Sequence, residues 1–184
     1  MPKIIVTEGQ WILKGIQQFE QGGIDQLVIE KMATSLGCSK SSFYWYFSSR
    51  SIYIRKIIEL WREQTTQQVI AASIAHATAD GRIMDLLTQM FGTTKRGDFL
   101  FYLRKLSLKD DAYLSILNEV EQMRIEFMNQ LLVQKGMQPE NALQKSWMLY
   151  HYYLGWYERH KHETLSNETV QQHIRMSWTE WISI

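Results

Sequence analysis

The residues with the most capacity for chemistry fall in one short run, Ser39-Lys40-Ser41-Ser42-Phe43-Tyr44-Trp45-Tyr46-Phe47, closed by Arg50. Hydroxyls donate and accept hydrogen bonds, Lys40 and Arg50 bring positive charge, and aromatic tips bring apolar surface with a polar edge. On one helix face this set suits base edges and phosphates rather than bond breaking. Catalytic signatures are missing elsewhere: the sequence has no G-x-S-x-G, Walker loop, G-x-G-x-x-G or H-E-x-x-H. No enzyme activity, cofactor or bound metal is therefore expected. The nearest approach to a metal cluster, His160-Lys161-His162-Glu163, falls at a helix end, where exposed carbonyls favour cations anyway, and reads as surface. Cys38, the only cysteine, reads as a small core residue rather than a redox centre.

Charge is distributed to match. The 184 residues carry a net charge of only +1, yet residues 39–62 hold five basic side chains against one acid, Glu59. Residues 63–184 hold 12 basic and 14 acidic side chains. A basic segment on a mildly acidic body suits an anionic partner at one end only. With 45% hydrophobic and 21% charged residues, the chain can bury a core. No apolar run approaches the roughly 18 residues of a membrane helix. The start MPKIIVTEGQ lacks the apolar stretch and cleavage site of a leader. One cysteine makes no disulfide framework, so the expected location is the cytoplasm.

The elements that must position the run are helices. Apolar spacing is helical throughout, with no alternating strand pattern, and predicts an all-α fold of about nine helices. Thr7 and Gln10 have capping-box spacing, and Ile12, Ile16 and Phe19 make an apolar stripe up to Gly22-Gly23. A short helix over about 27–35 and another over about 39–46, parted by Gly37, form a helix-turn-helix. Ser39 can cap the second. Its outer face then shows Lys40, Ser41, Ser42, Tyr44, Trp45 and Tyr46, with Phe43 and Phe47 pointing inward. A long helix starts at Ser49, with Ile54, Ile57, Ile58 and Trp61 on its inner side. Asp80-Gly81 signals a turn. Further helices follow, capped by Asp110 or Asp111, Pro139 and Ser166.

In these residues the chain resembles the TetR family of bacterial transcriptional regulators. Family members show a pattern close to A-x-x-A-G-V-S-K-G-T-L-Y-x-Y-F followed by a basic residue. Ala33, Gly37, Ser39, Lys40, Tyr44, Tyr46, Phe47 and Arg50 match it, as do Phe19 and Gly22 at the end of the first helix. Leu27 and Val28 replace the usual Thr/Ser at the start of the second helix, Ser41 the common glycine, Cys38 the common valine and Trp45 a frequent histidine. The resemblance implies that Lys40, Ser42, Tyr44 and Tyr46 contact double-stranded DNA, and that Arg50 clamps a phosphate. It implies a DNA-binding domain over residues 1–48 and a helical ligand-binding and dimerisation domain over 49–184. The expected function is that of a repressor released by a small effector. The alternative is a helical interaction protein that keeps the fold without sequence-specific DNA binding.

One helix-turn-helix makes few base contacts, and two copies about one DNA turn apart supply the rest, so a homodimer is expected. Leu143, Trp147, Tyr150, Leu154 and Tyr157 are spaced 4, 3, 4, 3, a heptad seam. Leu143, Leu154, Gly155 and Tyr157 are the candidate interface on that helix, with Ile174, Trp178 and Trp181 on the last one. The resemblance also implies an effector cavity among the middle helices. Trp61, Met90, Phe101 and Met123 are candidate lining residues, together with Phe127, Trp147 and Tyr150. That supply suits a mostly apolar or aromatic ligand.

Overall fold

The computed structural model describes residues 6–92 and 97–183, and these are mostly helical with no strand among them. The elements run α1 (Glu8–Gly22), α2 (Ile29–Ser35), α3 (Lys40–Tyr46), α4 (Arg50–Arg62), α5 (Gln68–Ile74), α6 (Ala79–Gly92), α7 (Phe99–Ser107), α8 (Asp111–Gln134), α9 (Pro139–His160) and α10 (Asn167–Ser177). A π-helical turn, Glu63–Gln67, joins α4 to α5, so the long helix expected after Ser49 is present but interrupted. The expected all-α class holds.

Several boundaries follow the local chemistry. Thr7 accepts from the Gln10 backbone N–H while the Gln10 side chain accepts from the Thr7 backbone N–H, a complete capping box. Gly23 and Gly37 take positive φ where α1 and α2 end, a conformation glycine adopts at no steric cost. Ser49 caps α4 and Ser166 caps α10 through their hydroxyls. Ser39 occupies the N-cap position of α3 without making the cap bond, its Oγ lying 2.6 Å from Ser41 Oγ instead. Asp80-Gly81 lies inside the first turn of α6, because Thr78 one turn earlier takes the Gly81 N–H and sets the helix start.

Packing divides the chain into two compact units, Met1–Gln64 with Gly97–Leu117, and Thr65–Arg96 with Asn118–Ile184. In the first, α4 and α7 join the helix-turn-helix instead of standing apart from it. Phe99 is why: its ring lies 4.5 Å from Phe19 of α1 and stacks at 4.4 Å on Trp61 of α4. Gly15 lets α1 and α4 approach closely, since a Cβ there would meet Tyr53 Oη at 2.3 Å.

The core of the second unit gathers around Phe91 of α6, Leu131 of α8, Leu149 and Trp156 of α9 and Ile174 of α10. His173 is enclosed by aromatic rings. It stacks on Tyr152 and Trp156 at 5.4 and 5.2 Å and meets Phe91 edge-on at 4.5 Å. Its Nε2 is buried with no hydrogen-bond partner among the described residues. Burial, helped by the nearby His160, holds its pKa below the usual 6.5, so the folded state prefers the neutral ring. A histidine depressed in this way contributes stability that is complete above the unfolded pKa and is lost as pH falls below it. The urea midpoint is therefore expected to drop between pH 7.5 and pH 5.5, and His173→Phe should shrink that drop. An equal drop in the variant would assign the pH dependence to other groups.

Candidate nucleic-acid interface and candidate ligand cavity

The helix-turn-helix is organised by a cluster of four aromatic side chains. Trp11, Phe43, Phe47 and Tyr53 are all fully buried. Trp11 meets the edge of Phe43 at 5.3 Å, and Tyr53 lies 4.9 Å from Phe43 and 4.7 Å from Phe47. Tyr53 donates its hydroxyl to the Trp11 carbonyl at 2.7 Å, and burial pushes its pKa well above 10. With Phe43 gripped on the inner side, helical geometry turns the next residues outward. Tyr44 is 53% exposed and Trp45 84% exposed.

The other residues of this face are already engaged to different degrees. Ser41 is exposed. Ser42 is half-buried and accepts from Trp11 Nε1 at 3.4 Å, and Tyr46 donates to the Val6 carbonyl at 3.0 Å. Arg50 donates to the Ile24 carbonyl and so ties α4 to the turn after α1. Lys40 pairs with Glu30 of α2, which raises the pKa of the lysine and lowers that of the acid. Both partners are exposed, so the pair is weak and easily exchanged for phosphate. Cys38 is half-buried. Of the expected stripe of α1, Ile16 and Phe19 are buried and Ile12 only borders the core, while Trp11 and Gly15 join the buried side. The spacing 11, 15, 19 was the available signal.

A second candidate site lies wholly within the second unit. It is a cavity of about 80 Å³. Met90, Phe127 and Tyr150 line it, together with Val69, Ile70 and Leu149. Its polar wall is Thr65 and Thr66 of the π turn, Gln89 and Arg124. Arg124 Nε donates to Thr66 Oγ1 at 3.0 Å and Nη2 to Thr65 Oγ1 at 3.3 Å. Gln89 donates to Asp85 at 2.6 Å, and Tyr150 donates to Glu121 at 3.3 Å. These polar groups were missed because an inventory of apolar and aromatic residues says nothing of them, and a π turn has no clear sequence mark.

Four expected lining residues lie elsewhere. Trp61 and Phe101 belong to the first unit, Trp61 being held by its stack on Phe99 and Phe101 being half exposed. Met123 is half-buried outside the lining, and Trp147 is 40% exposed on the outer side of α9. The expected dimer residues also separate by burial. Leu143, Trp147 and Gly155 are exposed on α9, with Met148 beside them, and Leu154 and Tyr157 are half-buried. A Cβ at Gly155 would meet nothing within 4 Å. Ile174 is a correction: it is fully buried in the core of its own unit and offers no surface to a partner. Trp178 and Trp181 pack partly against that core, Trp178 under Lys135 and Trp181 4.5 Å from Tyr152. The His160–Glu163 segment ends α9, where Glu163 pairs with Arg159 and with His160 Nδ1 at 2.8 Å. No group of three or more metal-ligating side chains occurs among the described residues, and no helix there is long and apolar enough to cross a membrane.

An all-helical chain that presents a short, aromatic-anchored helix in a helix-turn-helix has the architecture of a DNA-binding transcription regulator. The family model described as "Bacterial regulatory proteins, tetR family" matches residues 12–51. These residues carry the DNA-binding helix-turn-helix domain of the TetR family, and the chain has the fold of that family's solved structures. The Escherichia coli NemR reduced form is 18% identical, with 95% of this chain and 97% of that one covered at a TM-score of 0.76. A TetR-like regulator from Rhodococcus sp. RHA1 is 14% identical, with 97% and 96% covered at 0.73. Bacillus subtilis FadR in complex with stearoyl-CoA is 14% identical, with 96% and 98% covered at 0.67. None of the curated proteins matches the sequence.

The Glu30–Lys40 pair gives a direct test of this face. Glu30→Gln removes an acid from this face and releases Lys40. It should tighten binding to a mixed-sequence duplex roughly two- to fivefold at low salt, with the gain fading as salt rises. Filter binding across a salt series checks this, and weaker binding by the variant would remove Lys40 from the interface.

Proposed function

We propose that the chain is a transcriptional repressor that binds palindromic operator DNA as a homodimer and is released by a small, mostly apolar or aromatic effector. One observation carries the reading: on the same short helix, Phe43 and Phe47 are fully buried while Tyr44 and Trp45 stand in solvent. That arrangement holds the helix rigidly by one side and leaves side chains suited to groove contacts on the other. Lys40, Ser41, Ser42 and Tyr46 flank those tips, and Arg50 guards the start of α4. In this proposal residues 1–48 read DNA, and residues 49–184 hold the effector and the second copy. Its place of action is the cytoplasm.

Dimer formation is supported by the outward stripe of α9. Leu143, Trp147 and Met148 are large apolar side chains left in solvent, and Gly155 lies on the same helix with open space above it. An exposed apolar stripe beside a glycine suits close approach by the same helix of a second copy. Effector binding is supported by the cavity and by the stearoyl-CoA complex of a protein with the same fold. Thr65 and Thr66 belong to the π turn that continues α4 along the chain, so a ligand that orders this turn can bias α4. It acts only if it binds the DNA-incompetent state better.

Selection of bound sequences from random duplexes tests the proposal. The enriched set should be palindromic, and the double variant Tyr44→Ala with Lys40→Ala should lose at least about tenfold in affinity for it, as removal of one base contact alone costs about 1–3 kcal/mol. An enriched set without two-fold symmetry would refute the dimer. No enrichment, with no salt-dependent binding, would leave a helical interaction protein instead.

A further inference from the structure

The wall of the cavity in the second unit is mostly apolar, with Val69, Ile70, Met90, Met128 and Leu149 on it. Its polar side chains are already engaged inside the protein. Ser146 donates to the Ala142 carbonyl at 2.7 Å, Tyr150 to Glu121 at 3.3 Å and Gln89 to Asp85 at 2.6 Å. Arg124 donates through Nε and Nη2 to Thr66 and Thr65 and is engaged beyond them. Thr66 differs in one respect. It is buried, at 1% exposure, and its Oγ1 accepts from Arg124, yet its own hydroxyl proton has no acceptor among the described residues. Other helical threonines of this chain give that proton to the carbonyl one turn back, Thr34 to Glu30 and Thr88 to Met84. Thr66, inside the π turn and on the cavity wall, makes no such bond. A hydroxyl that accepts from a guanidinium is the stronger donor for it, because hydrogen bonds in a chain polarise one another.

Resting on the effector reading above, we propose that the cavity binds a small uncharged carbonyl compound, a ketone or an ester, whose oxygen accepts from Thr66 and whose apolar body lies against Met90, Met128 and Leu149. A carbonyl oxygen accepts a hydrogen bond and brings no proton of its own. An alcohol also accepts, but its proton then needs a further partner. An ionised carboxylate fares worse. It would be buried beside a guanidinium whose Nε and Nη2 are taken, with the acids Asp85 and Glu121 bonded to wall residues. Size limits the body. The volume of about 80 Å³ is near half of the roughly 150 Å³ apolar cavity that takes benzene in another protein, so a few carbon atoms fit and a long acyl chain does not.

Titration of the full chain with 2-butanone, 2-butanol and propionate separates these cases, followed by NMR through the methyl signals of Met90 and Met128. Met90→Leu and Met128→Leu assign those signals. The expected order is 2-butanone tightest, at least about threefold above 2-butanol, with propionate weakest. Thr66→Val removes the hydroxyl at nearly constant shape. It should weaken 2-butanone at least about threefold and leave 2-methyl-1-butene, which has the same shape without the oxygen, unaffected. Thr66→Ser should retain the binding of 2-butanone. If Thr66→Val does not fold, the order of the probes on the unaltered chain still decides. Binding of 2-butanol or propionate as tight as that of 2-butanone overturns the proposal. So does an equal loss of ketone and alkene in Thr66→Val, or the absence of a shift at either methionine. The regulator reading fails separately: 2-butanone that binds in the predicted order yet leaves DNA affinity unchanged would retain the carbonyl site and remove its role in DNA release.

Discussion

The enclosure of Phe43 by Trp11, Phe47 and Tyr53 is the interaction on which the helix-turn-helix unit depends. α3 has only seven residues, too few to be stable as an isolated helix. Its hydroxyl cap is unmade. Its main hold is burial of the Phe43 ring, a contribution whose loss on truncation to alanine typically costs about 3–5 kcal/mol. The same contact fixes the helix's rotation about its own axis, so core packing and the direction of Tyr44 and Trp45 are one fact. Tyr53 strengthens it by spanning from the ring cluster to the Trp11 carbonyl, and Gly15 opens the space that Tyr53 needs.

The second unit uses aromatic packing differently. His173 among Phe91, Tyr152 and Trp156 forms a dense, mostly apolar core, whereas the cavity beside α6, α8 and α9 is left partly polar. Packing there is complete around Phe91 and incomplete around Arg124. Incomplete packing next to a charged group weakens stability, and it persists where function needs the space. The π turn fits this account, as such turns recur at functional sites.

Much of the first unit could be read from its residues. Thr7-x-x-Gln10, Gly37 and the Phe43/Phe47 pair each act locally, through caps, a left-handed turn and helical spacing, and local rules are legible in sequence. Long-range contacts were not. Nothing near Trp61 shows that Phe99, distant in the chain, stacks on it, so the sequence offers Trp61 as cavity lining. Ile174 and Trp147 share a helical spacing with their neighbours, and only the packed structure shows that one is core and the other surface. That Arg124 lines the cavity is not legible in sequence, because a single arginine on a long helix looks like solvated surface until its threonine partners, dozens of residues earlier, are placed beside it.

The central claim is that the outward side of α3 lies against a duplex. It is tested most directly by fluorine NMR of protein labelled with 5-fluorotryptophan, the Trp45 signal being assigned by Trp45→Phe. On adding the selected duplex, the Trp45 resonance should shift most, with buried Trp11 and the tryptophans of the second unit moving less. A Trp45 signal that stays in place while DNA binds would contradict the account.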